Sequence, residues 1–101
     1  MTGHWILADI KLARTRDGGL SSPLKRGDRS LLLIFREGPH EVRLGAVFEE
    51  FEGSARPGDR FNARLWFWND LATIWATPSA EFELWYSRIV GRGVVTEVLP
   101  E

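Results

Sequence analysis

Apolar residues in this chain recur at every second position. In "HWILADIKL", Ile6, Ala8, Ile10 and Leu12 fall on one side and Trp5, Leu7, Asp9 and Lys11 on the other. "EVRLGAVFEE" sets Val42, Leu44, Ala46 and Phe48 together, and "RFNARLWFW" does the same with Phe61, Ala63, Leu65 and Phe67. Successive side chains leave a strand on opposite faces, so this period belongs to strands with one buried face. No segment keeps a 3.6-residue period over three turns, so helices are not expected to build the core.

The remaining strands are read from "SLLLIFRE", a continuous apolar run, and from "FELWY" and "RIVGRGVVTEVL", joined by a short turn near Ser87. "EGPH" and "EGSARPGD" are turns, rich in the residues that break strands. Residues 14–27, within "RTRDGGLSSPLKRGDR", carry glycines, a proline and charges without an apolar run, and read as a long loop. Ala72–Ala76 reads as a short strand before a proline turn. Six or seven strands at short intervals predict an all-β barrel or sandwich. At 101 residues the chain is expected to form one domain, 1–101, around one core.

Charge and cysteine usage narrow the function. Lys and Arg number 13 against 14 Asp and Glu, a net charge of -1 that gives no support to nucleic-acid or anionic-membrane binding. There is no cysteine, which removes disulfides and thiolate metal sites. His4 and His40 are the only histidines and lie far apart in sequence, so a ligand cluster is not expected. No stretch approaches the roughly 20 apolar residues of a membrane-spanning helix. "MTGHWILADIK" lacks the basic start and long apolar run of a signal peptide, so a cytoplasmic protein is expected.

The glycines in "RIVGRGVVTEVL" need a reason, because glycine inside a strand marks a bend or a close backbone approach. This stretch resembles the end of the third, C-terminal β-barrel domain of the elongation factor Tu family. There an Arg and a small apolar pair precede Gly-x-Gly-Val-Val. Other motifs follow in order. "ADIKL" resembles that domain's opening strand, and "GGLSSPL" its Gly-Gly-x-x-Thr-Pro-Phe loop, with Ser22 at the Thr. "RGDRS" resembles its Gly-Tyr-Arg-Pro, keeping Gly27 and Arg29, and "RPGDRFNARLWF" its Pro-Gly-Asp turn, with Gly58. The resemblance covers roughly residues 7–99. It implies a small closed six-stranded barrel of Greek-key type, standing alone, whose last strand bends at Gly91 and Gly93 to close it. The family's GTPase lies in a separate domain. Nothing in this sequence matches G-x-x-x-x-G-K-S/T, so no GTP and no cofactor are expected.

Glu49, Glu50 and Glu52 read as a solvated strand end, and Ser21 and Ser22 have no base nearby in sequence, so catalysis is not expected. Protein binding or self-association is the leading expectation. With Phe61, Ala63, Leu65 and Phe67 inward, Trp66 and Trp68 point outward beside Asn62 and Arg64. With Phe82, Leu84 and Tyr86 inward, Trp85 points outward. With Leu32 and Ile34 inward, Leu31, Leu33 and Phe35 point outward, and Trp5 lies on the outer side of the first strand. Contiguous outer aromatics mark a covered surface. The alternative partner is RNA, tRNA above all. In the family this domain contacts the T-stem, and here Arg14, Arg16, Lys25, Arg26 and Arg29 gather on the long loop, where they can meet phosphates. Leu31 stands at the family's Gln, and Tyr86 and Ser87 at its Glu-Gly.

Overall fold

A computed structural model describes residues 3–100. Seven strands form: β1 (His4–Leu12), β2 (Leu32–Glu37), β3 (His40–Gly45), β4 (Val47–Phe51), β5 (Arg60–Phe67), β6 (Glu81–Trp85) and β7 (Ile89–Leu99). They make one sheet in the order β3-β2-β6-β7-β1-β5-β4, and every pairing is antiparallel. A one-turn 3-10 segment, Thr15–Asp17, and one short helix, α1 (Ala72–Trp75), complete the elements.

The alternation seen in the sequence is the alternation of burial. Ile6, Ala8, Ile10 and Leu12 of β1 are buried, as are Phe61, Ala63, Leu65 and Phe67 of β5, all in one core cluster. Phe35 anchors that core, with its ring 5.4 Å from Phe82 and 6.3 Å from Phe67, a spacing at which tilted rings attract.

The sheet does not close as the expected six-stranded barrel would. "EVRLGAVFEE" is not one strand. It pairs with β2 as far as Gly45, turns at Ala46, and pairs with β5 from Val47. The two edge strands are therefore consecutive in sequence, and one fully buried alanine joins them. Two further bonds tie the end of the long loop to the β4 edge, from the Gly27 N–H to the Phe48 carbonyl (2.7 Å) and from the Phe48 N–H to the Asp28 carbonyl (2.9 Å). Gly27 can make this turn because it sits at φ 82°, and Gly58 turns the chain into β5 at φ 92°, a region costly for any residue with a Cβ.

Ala72–Ala76 is helical instead of extended. Asn69 starts it, its Oδ1 accepting from the Leu71 N–H at 2.9 Å, and the Asn69 and Asp70 carbonyls accept from Ala72 and Thr73. Ala72 and Ala76 enter the core, and the Ala76 carbonyl accepts from His4 Nε2 at 2.8 Å. The segment thus adds to the core and does not extend the sheet.

Gly91 and Gly93 serve close approach. Neither has a positive φ among the described residues. A Cβ on Gly91 would stand 2.8 Å from the Lys11 carbonyl oxygen, and one on Gly93 2.8 Å from that of Asp9. β7 lies against β1 and β6 with no room for a side chain at either position.

Candidate functional site

β5 builds the outer aromatic face. Its inward set leaves Arg60, Asn62, Arg64 and Trp66 on the other side, and Trp68 follows just beyond the strand. Trp66 stands opposite Trp5 of β1, with ring centroids 6.3 Å apart, and packs on to Trp68 at 6.1 Å. Trp5 in turn stands opposite Leu99 of β7. The Arg64 guanidinium lies 4.6 Å from the Trp5 ring centroid, a cation–π contact. Val47, opposite Trp66 on β4, is buried yet outside the core cluster, as expected of a residue under the indoles.

Two glycines make this stack fit. The Trp66 indole occupies the place a Cβ on Gly3 would take, and the Trp68 ring does the same at Gly45. Trp5 and Trp66 are half-buried by their neighbours, while Trp68 keeps 46% of its surface exposed. A second, smaller outer cluster has Trp85 between Leu32 and Ile89, with the Arg43 guanidinium 5.5 Å from the ring.

Leu31, Leu33 and Phe35 do not belong to this face. They are 0%, 0% and 1% exposed and lie in the core. Leu32 and Ile34 are the outward pair. "LLLIF" is apolar in both parities, so its own pattern selects neither. The deciding signal is the "EGPH" turn. Gly38 and Pro39 form a two-residue hairpin loop, which pairs Glu37 with His40 and sets Phe35 opposite Val42. Since Val42 faces the core, Phe35 must too. Tyr86 was likewise expected inward and is 50% exposed. The pairing of β6 with β7 shifts between Leu84 and Trp85, and this breaks the alternation before Tyr86.

Ion pairs run along the middle of the outer face. Arg60 donates to Asp9 through Nε (3.1 Å) and Nη2 (2.6 Å), and these bonds hold the Asp9 carboxyl below its ordinary pKa. Arg36 pairs with both Glu41 and Glu83, and Arg43 with Glu41, whose carboxyl is lowered first by Arg43 and then by Arg36. An open groove of about 1010 Å³ crosses this region between Asp9, Lys11, Arg60, Glu83 and Arg92. Asp9 and Glu83 on its wall are already paired with arginines, Asp9 with Arg60 and Glu83 with Arg36.

The basic loop is partly neutralised. Arg14 bonds Asp17 at 2.8 Å and Arg26 lies 3.5 Å from Glu50. Arg16, Lys25 and Arg29 are exposed and make no ion pair among the described residues. Leu71 and Ile74, at 43% and 69% exposure, are outer apolar residues that the sequence pattern did not reveal: Ile74 lies on the helix read as a strand, and Leu71 immediately precedes it. No protein-family model and no curated protein sequence matches this chain, so neither comparison links it to the elongation factor Tu family. No helix among the described residues is long and apolar enough to cross a membrane.

Proposed function

We propose that this chain is a non-enzymatic interaction module that binds a protein partner through its outer indole face. One observation supports the reading above others: Trp5, Trp66 and Trp68 stack on the side of the sheet away from the core, and Trp68 ends the stack 46% exposed. A tryptophan exposed beside half-buried ones offers apolar area at little entropic cost, which is how interface anchors work. Arg64 on Trp5 supplies a polar rim. Given the resemblance of "RIVGRGVVTEVL" and the motifs before it to the third domain of elongation factor Tu, the partner proposed is a cytoplasmic protein of translation.

The test places a photo-crosslinking residue at position 68, with position 21, exposed on the long loop beyond the opposite end of β1, as the control. A partner captured at 68 and not at 21 is purified, and its affinity is measured for wild type and for the W66S/W68S double variant. At least a tenfold loss in the variant is expected. Equal affinity overturns the proposal. Capture of tRNA in place of a protein, with steeply salt-dependent binding, transfers the function to Arg16, Lys25 and Arg29.

A further inference from the structure

β3 is an edge strand bonded on one side only. It pairs with β2, and no other backbone hydrogen bond to residues 40–45 exists among the described residues. The hairpin loop fixes which groups are left over. In a two-residue loop the flanking residues, Glu37 and His40, exchange both hydrogen bonds, and bonded pairs then alternate along the ladder. His40, Val42 and Leu44 therefore turn their N–H and C=O toward β2, while Glu41 and Arg43 turn theirs toward the open edge. Such an edge is a template for another strand. Exposed apolar side chains bracket it: Trp68 lies against Gly45 at one end, and Ile74 borders a groove with His40 at the other.

We infer that a second copy of this chain pairs antiparallel along this edge, β3 against β3, about a two-fold axis through Val42. Charge selects the register. Only the odd-numbered residues present bonding groups, so a symmetric pair can bring together Glu41 with Glu41, Glu41 with Arg43, or Arg43 with Arg43. The first and last place like charges directly opposite, which is destabilising, whereas the middle one makes two opposite-charge pairs and sets Val42 on Val42. A strand of alternating charge at an open edge thus rejects most partners and accepts itself in one register. This edge meets the indole face only at Trp68, which rests on Gly45, and the inference does not depend on a partner binding there.

The full chain is followed by sedimentation equilibrium and by hydrogen exchange across a wide concentration range. Wild type should form a dimer, and exchange at the Glu41 and Arg43 amides should slow as concentration rises, while Val42 and Leu44, already bonded to β2, do not change. E41R and R43E should each weaken self-association at least tenfold, since each makes its edge all of one sign. Equal mixing of the two should restore a heterodimer, and the double swap E41R/R43E should restore a homodimer. R43P removes an N–H that β2 does not use, so it should fold and remain monomeric. A wild type that stays monomeric overturns the inference. So do single variants that dimerise like wild type, a mixture that fails to pair, or Glu41 and Arg43 amides indifferent to concentration. A dimer lost in W66S/W68S but kept in R43P would move self-association to the indole face.

Discussion

The Phe82 ring lies directly over Gly93, where a Cβ would stand 2.6 Å from Phe82 Cζ and 2.8 Å from the Asp9 carbonyl oxygen. Phe82, Gly93 and Ile10 are cross-strand neighbours on β6, β7 and β1. An aromatic ring thus fills the gap a missing side chain leaves in the inner face, and the carbonyl behind it belongs to a paired strand that cannot retreat. Gly93→Ala is expected to cost about 1–3 kcal/mol, as overpacking does, and Gly93→Val more. Thermal or urea unfolding measures it. A Gly93→Val variant that melts with wild type would show that β7 has slack here.

Gly53 provides the contrast. It has φ 70° and nothing within 4 Å of a would-be Cβ. Gly53→Ala is expected to cost on the order of 1–2 kcal/mol through backbone strain alone, with native contacts unchanged. Matching the unfolding of Gly53→Ala and Gly93→Ala against their crystal or NMR structures separates the two causes: only the second should move Phe82.

Acid should weaken the fold through Asp9. Its pKa is lowered by hydrogen bonds from Arg60, although burial opposes the shift. A carboxyl with a lowered folded pKa contributes stability that is full above the unfolded value of about 3.9 and is lost as pH falls through the folded pKa. Glu41 is lowered by Arg43 and Arg36, and Asp59 by the Arg56 N–H and the Ser54 hydroxyl, so they add in the same direction. Urea unfolding from pH 7 downward should show stability steady to about pH 5 and falling below it. Asp9→Asn should differ from wild type at pH 7 and converge with it in acid. A difference that does not change with pH would remove the Arg60 pair from the account.

How much of this was legible in the sequence depended on whether one face of a strand was polar. β5 was readable because Arg60, Asn62 and Arg64 alternate with Phe61, Ala63 and Leu65, so only one parity could be buried. β2 was not, because both of its parities are apolar. Its outer pair, Leu32 and Ile34, is accommodated by Trp85 and by the side chains of Arg43 and Glu83 on neighbouring strands, which no reading of β2 alone contains. The turn at Ala46 was hidden for another reason. Val42, Leu44, Ala46 and Phe48 keep their period straight through it, since all four remain on the core side while the pairing partner changes from β2 to β5. Periodicity records which side faces the core, and does not record which strand lies alongside. The indole face followed from β5, but its dependence on Gly3 and Gly45 required contacts across more than 20 residues.

Gly45 supplies a way to disturb that face without disturbing the fold. A Cβ there would stand 2.5 Å from Trp68 Cζ2 and 2.7 Å from Cη2, so something must move. At Gly93 the obstacle includes backbone, but at Gly45 the two nearest atoms are the far end of a side chain that is already 46% exposed. Gly45 also has no positive φ, so alanine carries no conformational penalty. The indole should swing outward, lose its contact with the corner and become more hydrated. Gly45→Ala is therefore expected to unfold within about 1 kcal/mol of wild type, to shift tryptophan emission to the red and to raise its quenching by acrylamide. Placed in a Trp68→Phe background, the same substitution should leave the emission unchanged, which assigns the signal to that one residue. If the indole face is the docking surface, Gly45→Ala should also weaken the partner captured at position 68, because the anchor would no longer be held in place before binding. Unchanged emission in the single variant would mean that Trp68 does not rest on Gly45 in solution.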